Sequence, residues 1–251
     1  MDKIIIEDLS IQYSDGMESL KNINLRIPAN QITVLFGPAG GGKSTLLRTI
    51  NRLNDLADVK FATGKVLLDE INILDKDTDL ITLRRKIGMV FSNPVVLPFS
   101  IRRNVLFGLE LAGEHNPKVL KQAIERSLSQ AALWDEIKDR LDDPAVALSG
   151  GQQQRLCLAR SLAQQPEIIL LDEPTSGLDP ISTSKVEHSL QELKKDYTIV
   201  LVPHSIQQAA RMADTAAFFL QGNLVEVAPG KDIFTNPVDK RTEDYIEGRF
   251  G

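Results

Sequence analysis

The β-rich run at 32–36 passes directly into Gly37, Pro38, Ala39, Gly40, Gly41, Gly42, Lys43, Ser44 and Thr45, after which Leu46, Leu47, Ile50 and Leu53 follow at helical spacing. Strand, tight glycine-rich loop and helix in that order point to a wound α/β sheet that carries a ligand loop at one strand end. The loop fits the pattern G-x-x-x-x-G-K-[ST] in the context which that pattern needs. Its glycines let backbone N–H groups close around phosphate oxygens, while the helix behind presents the positive end of its dipole. On this reading Lys43 reaches the β- and γ-phosphates and Ser44 offers a hydroxyl to Mg²⁺. The alternative is a glycine-rich turn that merely opens a helix.

Four further runs, at 87–91, 168–171, 199–202 and 216–220, have the length and content of buried strands, and Val186, Leu190 and Leu193 lie between two of them at helical spacing. That alternation predicts a largely parallel sheet with helices on its faces. Nearer the start, runs at 4–6, 23–27 and 65–68, set apart by polar turns such as Ser14-Asp15-Gly16, predict antiparallel strands. The middle differs. Val119, Leu120, Ala123, Ile124, Ser127, Leu128 and Ala131 trace one helical face across 117–132 with no strand signal. We expect one domain over 1–251, with 1–92 and 165–251 forming the core and β part and 93–164 an inserted helical part.

Composition limits the functions available. A net charge of −5 supplies no general attraction to nucleic acid, so none is expected as a partner. Cys157 is the single cysteine and cannot form an internal disulfide; its apolar surroundings predict a small buried hydrophobe in a cytoplasmic protein. No stretch approaches the roughly 18 consecutive apolar residues of a membrane span. The opening MDKIIIEDLS lacks a signal-peptide pattern, so any membrane role is expected to come through a partner.

The run at 168–171 ends on Asp172 and Glu173, where an open α/β sheet presents its ligand groups. Beside a phosphate loop the two suit different tasks. Asp172 is placed to hold Mg²⁺, directly or through water, and Glu173 to orient and deprotonate a water attacking the γ-phosphate. A solvated strand-end cap is the alternative. Shortly before that strand stands Leu148-Ser149-Gly150-Gly151-Gln152-Gln153-Gln154-Arg155. Ser149 followed by two glycines reads either as a turn with a capped helix start or as a loop offering a hydroxyl and N–H groups to an anion.

This segment resembles the signature sequence of ABC transporter ATPases, and the similarity extends over essentially the whole chain. The resemblance implies an α/β fold: a P-loop NTPase (RecA-like) core with an N-terminal antiparallel β subdomain and an inserted α-helical subdomain. It implies ATP and Mg²⁺ as ligands and a second copy of the chain in a head-to-tail sandwich. There Ser149, Gly150, Gly151 and Gln152 meet the γ-phosphate of ATP held by the other copy. ATP draws the halves together and hydrolysis releases them.

Further roles follow by resemblance, each with a plainer alternative. Tyr13 stacks on adenine or packs as a strand residue. Asp179, in Ser176-Gly177-Leu178-Asp179, communicates across the dimer or caps a helix before Pro180. His204 joins Glu173 in catalysis by contacting the γ-phosphate, or is structural. Arg48, Arg160 and His188 have no comparable placement and read as surface or packing residues. Two positions depart from the family. Ser92 stands where a glutamine that helps coordinate Mg²⁺ is usual; serine keeps an oxygen but lacks the reach, which implies altered coupling or slower hydrolysis, or a polar-turn change of little consequence. Pro203 replaces the usual threonine and removes a backbone donor.

Within the family, the phosphate-import type is the one resembled, at 148–157, 175–184 and 194–200. The most distinctive likeness is in the tail, at Phe234-Thr235-Asn236-Pro237 and then 239–246 through Gly248, Arg249, Phe250 and Gly251. The implied partners are two transmembrane permease subunits, which place the chain on the cytoplasmic face of the membrane, and indirectly an external phosphate-binding protein. Docking is expected around 92–108, with Phe99 either a contact or a core anchor. Soluble family members that act in DNA repair or translation usually carry paired cassettes or long extra domains, for which 251 residues leave no room. An importer ATPase for another small solute and a regulatory module with little turnover, motivated by Ser92, are the remaining readings.

Overall fold

A computed structural model describes residues 1–249; Phe250 and Gly251, the last two residues of the distinctive tail, lie outside the described residues. The chain opens with β1 (Asp2–Tyr13), β2 (Glu18–Pro28) and β3 (Ile32–Phe36), and the glycine-rich loop then leads into α1 (Lys43–Ile50). β4 (Val59–Leu68), β5 (Ile71–Asn72), α2 (Leu80–Lys86) and β6 (Ile87–Val90) follow. The middle is helical: α3 (Ile101–Leu111), α4 (Pro117–Gln130), α5 (Trp134–Ile137) and α6 (Gly150–Ala163). Strands and helices then alternate through β7 (Ile168–Asp172), α7 (Pro180–Leu193), β8 (Thr198–Val202), α8 (Ile206–Met212) and β9 (Thr215–Leu220). β10 (Asn223–Pro229), α9 (Gly230–Ile233) and α10 (Lys240–Ile246) complete the described chain.

β2, β1, β4 and β5 form an antiparallel sheet, and a six-stranded sheet has the order β10-β9-β3-β8-β7-β6. In the larger sheet β9, β3, β8, β7 and β6 run parallel and β10 pairs antiparallel with β9. Every residue of β3 and β8 is buried, as a parallel strand covered on both faces requires. Alternate side chains enter two cores. Leu35, Leu170, Val200 and Phe219 pack with α1 and the antiparallel sheet, while Val34, Leu171, Leu201 and Phe218 pack with the helical middle and α7.

The strand runs expected in the sheet core and the helix at 117–132 are present. β1 extends well beyond 4–6 because Asp8, at φ 49°, sits where the pairing with β4 shifts register and breaks the alternation that marks a strand. β10 is a half-exposed edge strand with no apolar run to announce it. The charged tail forms a helix, α10, whose Tyr245 ring lies 5.1 Å from that of Phe218 and 6.2 Å from that of Phe36. Cys157 is buried, and burial pushes its thiol pKa up.

One carboxylate joins three helices of the middle and core. Glu136 of α5 accepts from Arg155 Nη1 and Nη2 at 2.8 and 3.0 Å, from Gln152 Nε2 at 3.1 Å and from Lys185 Nζ of α7 at 2.5 Å. The bond from the buried Arg155 guanidinium is the largest influence holding the Glu136 pKa down to about 2; Lys185 and Gln152 add to it, and burial works against them.

Two outcomes follow. Tyr245→Ala should cost about 2 kcal/mol in urea unfolding, less than the ~3–5 kcal/mol of a fully buried aromatic because the ring is half-buried. The Glu136 pKa lies below its ordinary value of 4.5, so its contribution to stability is complete above that pH and is lost as pH falls towards 2. Glu136→Gln should therefore destabilise by about 1–3 kcal/mol at neutral pH. Its melting temperature should converge on that of the unaltered chain as both are titrated below pH 4.5.

Candidate nucleotide site

The loop at 37–42 lies against backbone on two sides. A Cβ on Gly37, at φ 138°, would collide with the Phe219 carbonyl of β9, and one on Gly42, at φ 99°, with the Ser19 carbonyl of β2. Pro38 is half-buried and Ala39 and Gly40 are exposed, while Gly41 is buried. Gly42 occupies the N-cap of α1 and has no side chain to cap it, so the first-turn N–H groups of Lys43, Ser44 and Thr45 have no helical partner behind them. That end of the helix suits an anion. Lys43 folds back over the loop and donates from Nζ to the carbonyls of Gly37 and Pro38, both at 2.8 Å. Burial pulls its pKa below the ordinary lysine value, while the Glu173 and Asp172 carboxylates act against that.

β3, β8 and β7 are adjacent and parallel, so the loops after them share one edge of the sheet. There Ser44 donates from Oγ to Asp172 Oδ1 at 3.1 Å. A hydroxyl and a carboxylate side by side form a hard oxygen pair of the kind Mg²⁺ takes together with substrate phosphates and water. Glu173, at φ 48°, donates its N–H to the Val202 carbonyl at 2.9 Å, and its Oε2 lies 3.9 Å from His204 Nδ1. Thr45 turns away from this edge: its Oγ1 is 2.7 Å from Ser19 Oγ and 3.3 Å from the Tyr13 hydroxyl. Tyr13 also donates to Asn54 Oδ1 at 3.4 Å, which holds its half-buried ring beside the loop helix.

A second group sits elsewhere. Ser149 caps α6, accepting from Gln152 N at 3.3 Å while Gln152 Oε1 accepts from Ser149 N at 3.1 Å. Ser149 and Gly150 are exposed, and Gly151 packs so close to α7 that a Cβ on it would fall 2.7 Å from Ser182 Oγ. Ser182 in turn donates to Asp179, which caps α7. That hydroxyl bond holds the Asp179 carboxyl below its usual pKa. Ser149, Gly150, Gly151, Gln152 and Asp179 thus lie together, and no hydrogen bond or ion pair among the described residues joins them to Lys43, Asp172, Glu173 or His204. Ser92 follows β6 and its hydroxyl makes no hydrogen bond among the described residues.

Four residues organise these groups in roles the sequence did not indicate, although Gln154 falls within the segment 148–155. Asn54 donates to the Thr45 carbonyl and Thr49 Oγ1 at 2.9 and 2.7 Å; Gln154 donates to the Phe91 carbonyl at 2.8 Å, tying α6 to the segment before Ser92. Glu136 holds Gln152, and Gln208 accepts from the His204 N–H at 2.9 Å. The available signal is a polar residue on a helix face that otherwise reads apolar, as with Gln208 beside Ala209 and Met212.

The family model described as ABC transporter matches residues 20–176. The chain is similar to CbiO1 from Clostridium perfringens, described as part of the ABC transporter complex cbiONQ: 28% identity over 99% of this chain and 96% of that one, TM-score 0.82. It is also similar to the ATP-binding cassette MJ0796, whose dimer was solved in a post-hydrolysis state with ADP and Pi: 30% identity over 91% of this chain and 99% of that one, TM-score 0.77. With more than half its length matched by that family model, and with a phosphate loop, paired carboxylates and histidine gathered on one sheet edge, the chain belongs to the ABC transporter family as an ATP-binding cassette ATPase.

Proposed function

We propose that two copies of this chain close head to tail around ATP and that their turnover drives import of inorganic phosphate through a membrane transporter. The observation that carries the dimer is that the exposed start of α6 at Ser149 and Gly150, suited to an anion, makes no bond to the phosphate-loop site of its own chain; a second copy supplies that site. MJ0796, solved as a dimer with ADP and Pi, supports a dimeric state.

In each site Lys43 and the first-turn N–H groups of α1 hold the phosphates, and Tyr13 covers the adenine. Ser44 and Asp172 hold Mg²⁺, which when bound supplies neutralisation of phosphate charge. Glu173 takes a proton from water as the water oxygen bonds to the γ-phosphorus and the bond from that phosphorus to the bridging oxygen breaks, releasing ADP and phosphate. His204, exposed and 3.9 Å from Glu173, donates to the γ-phosphate, and Asp179 and Ser149–Gly151 face the partner.

The helical part at 93–164 carries the coupling. A groove of about 360 Å³ between core and helices is walled by Arg84, Arg85, Phe107, Leu111, Cys157 and Arg160, and receives a cytoplasmic helix of a permease subunit. Phe99 anchors the neighbouring segment: its ring is covered by the Arg103 guanidinium at 4.2 Å and lies 5.8 Å from that of Phe107. Phosphate as cargo rests on the likeness of 175–184 and of the tail to phosphate importers, since none of these residues touches cargo.

Glu173→Gln should lower ATP turnover by about 100-fold or more while nucleotide binding persists. Ser92→Gln, restoring the longer side chain, should raise turnover a few-fold; turnover near background in the unaltered chain that this change rescues would favour the regulatory reading. Cargo is tested by reconstituting the chain with its copurifying membrane subunits and measuring hydrolysis with phosphate and its external binding protein. Stimulation supports phosphate import, whereas an active complex indifferent to phosphate removes the cargo and leaves the transporter ATPase standing.

A further inference from the structure

Gln208 is a polar side chain in a core position, 3% exposed, and every polar atom of its amide is engaged. Oε1 accepts from the His204 N–H at 2.9 Å. Nε2 donates to Thr175 Oγ1 at 2.9 Å and to Glu187 Oε1 at 3.1 Å, and the Thr175 hydroxyl is also 3.2 Å from Oε1. Glu187, on α7, is held in turn by Arg211 Nη2 at 2.7 Å. Thr175 is 5% exposed and stands two residues after Glu173.

The loops after β7 and β8 are therefore joined twice. At the base, Glu173 N–H donates to the Val202 carbonyl; above it, the Gln208 amide bridges Thr175 and His204. Pro203 has no N–H, so the His204 N–H is the first donor available after β8. Burying an amide costs free energy unless all its groups are paired, and a paired amide has few alternative positions.

We propose that Gln208 is a positioning residue for hydrolysis, holding the His204 loop and the Glu173 loop at the separation the γ-phosphate and attacking water require. The inference rests on the roles given above to Glu173 and His204. It makes no contact with nucleotide a condition, so it predicts slower chemistry with unchanged binding.

The test uses the full chain and compares ATP hydrolysis, KM for ATP and melting temperature. Gln208→Met, of similar shape without hydrogen-bonding groups, should lower kcat about 10- to 100-fold, the scale of a misplacement near 1 Å, with KM for ATP changed less than about 3-fold. Gln208→Glu combined with Glu187→Gln exchanges amide and carboxylate. The introduced carboxylate accepts from the His204 N–H, the Thr175 hydroxyl and the new amide, so kcat should return to within about 5-fold. In a His204→Ala background, Gln208→Met should add little further loss.

A kcat within about 2-fold of the unaltered chain for Gln208→Met, or an exchange variant that melts normally yet stays slow, overturns the proposal. So does full additivity with His204→Ala. If Gln208→Met proves too unstable to assay, the exchange variant decides alone. Unaltered turnover in His204→Ala would instead sink the role assigned to His204, a failure separate from slow His204→Ala beside an indifferent Gln208→Met.

Discussion

Backbone lies directly on backbone at Gly37 and Gly42, and the position of the whole site depends on it. Neither residue tolerates a Cβ: one is pressed on the Phe219 carbonyl and the other on that of Ser19, both at φ values that glycine adopts freely. The loop is thus wedged between the parallel sheet and the antiparallel one. α1 then begins with its N–H groups free, Lys43 returns to the loop carbonyls, and Thr45 reaches the antiparallel sheet through Ser19 and Tyr13. Tyr13, at the far end of β1, comes to the phosphate loop because its hydroxyl meets Thr45 of α1 and Asn54 just beyond that helix.

Where one face or both faces of an element are buried without interruption, the sequence was enough to place it. β3, β7 and β8 stand out as apolar runs, and the glycine loop and the Asp172–Glu173 pair stand at their ends. What escaped has a common cause. β10 pairs at an edge and stays half-exposed, so its residues carry no periodic signal, and Asp8 interrupts β1 with a positive φ that no local pattern announces. Gln154, Gln208 and Glu136 act through partners 63, 33 and 49 residues away in the chain, at Phe91, Thr175 and Lys185. Hydrogen bonds over such separations are settled by packing, and a polar residue on an otherwise apolar helix face marks one end of such a bond without naming its partner.

Charge explains why the site is arranged as it is. Lys43 is drawn towards neutrality by burial, and Asp172 and Glu173 oppose this. Polyphosphate brought between these groups gains from Lys43 and the α1 dipole but is repelled by two carboxylates. On the proposed function, charge neutralisation at Ser44 and Asp172 is what lets the phosphates approach Glu173 closely enough for a water to stand between them. His204 lies beside Glu173 and is exposed, where on the proposed function it meets the terminal phosphate without entering the core.

α7 carries these local arrangements across the molecule. Its N-terminus follows the Glu173 loop, its cap Asp179 binds Ser182 beside Gly151, its Lys185 binds Glu136, and its Glu187 binds Gln208. One helix therefore touches the hydrolytic loops on one side and the loop at 149–151 on the other. On the proposed function, a displacement of Glu173 or His204 when the γ-phosphate leaves would either strain these contacts along α7 or move the start of α6 with it. Packed side chains resist graded strain and shift between discrete arrangements. On the proposed function the second course carries the chemical state of one site to the surface proposed to face the other copy.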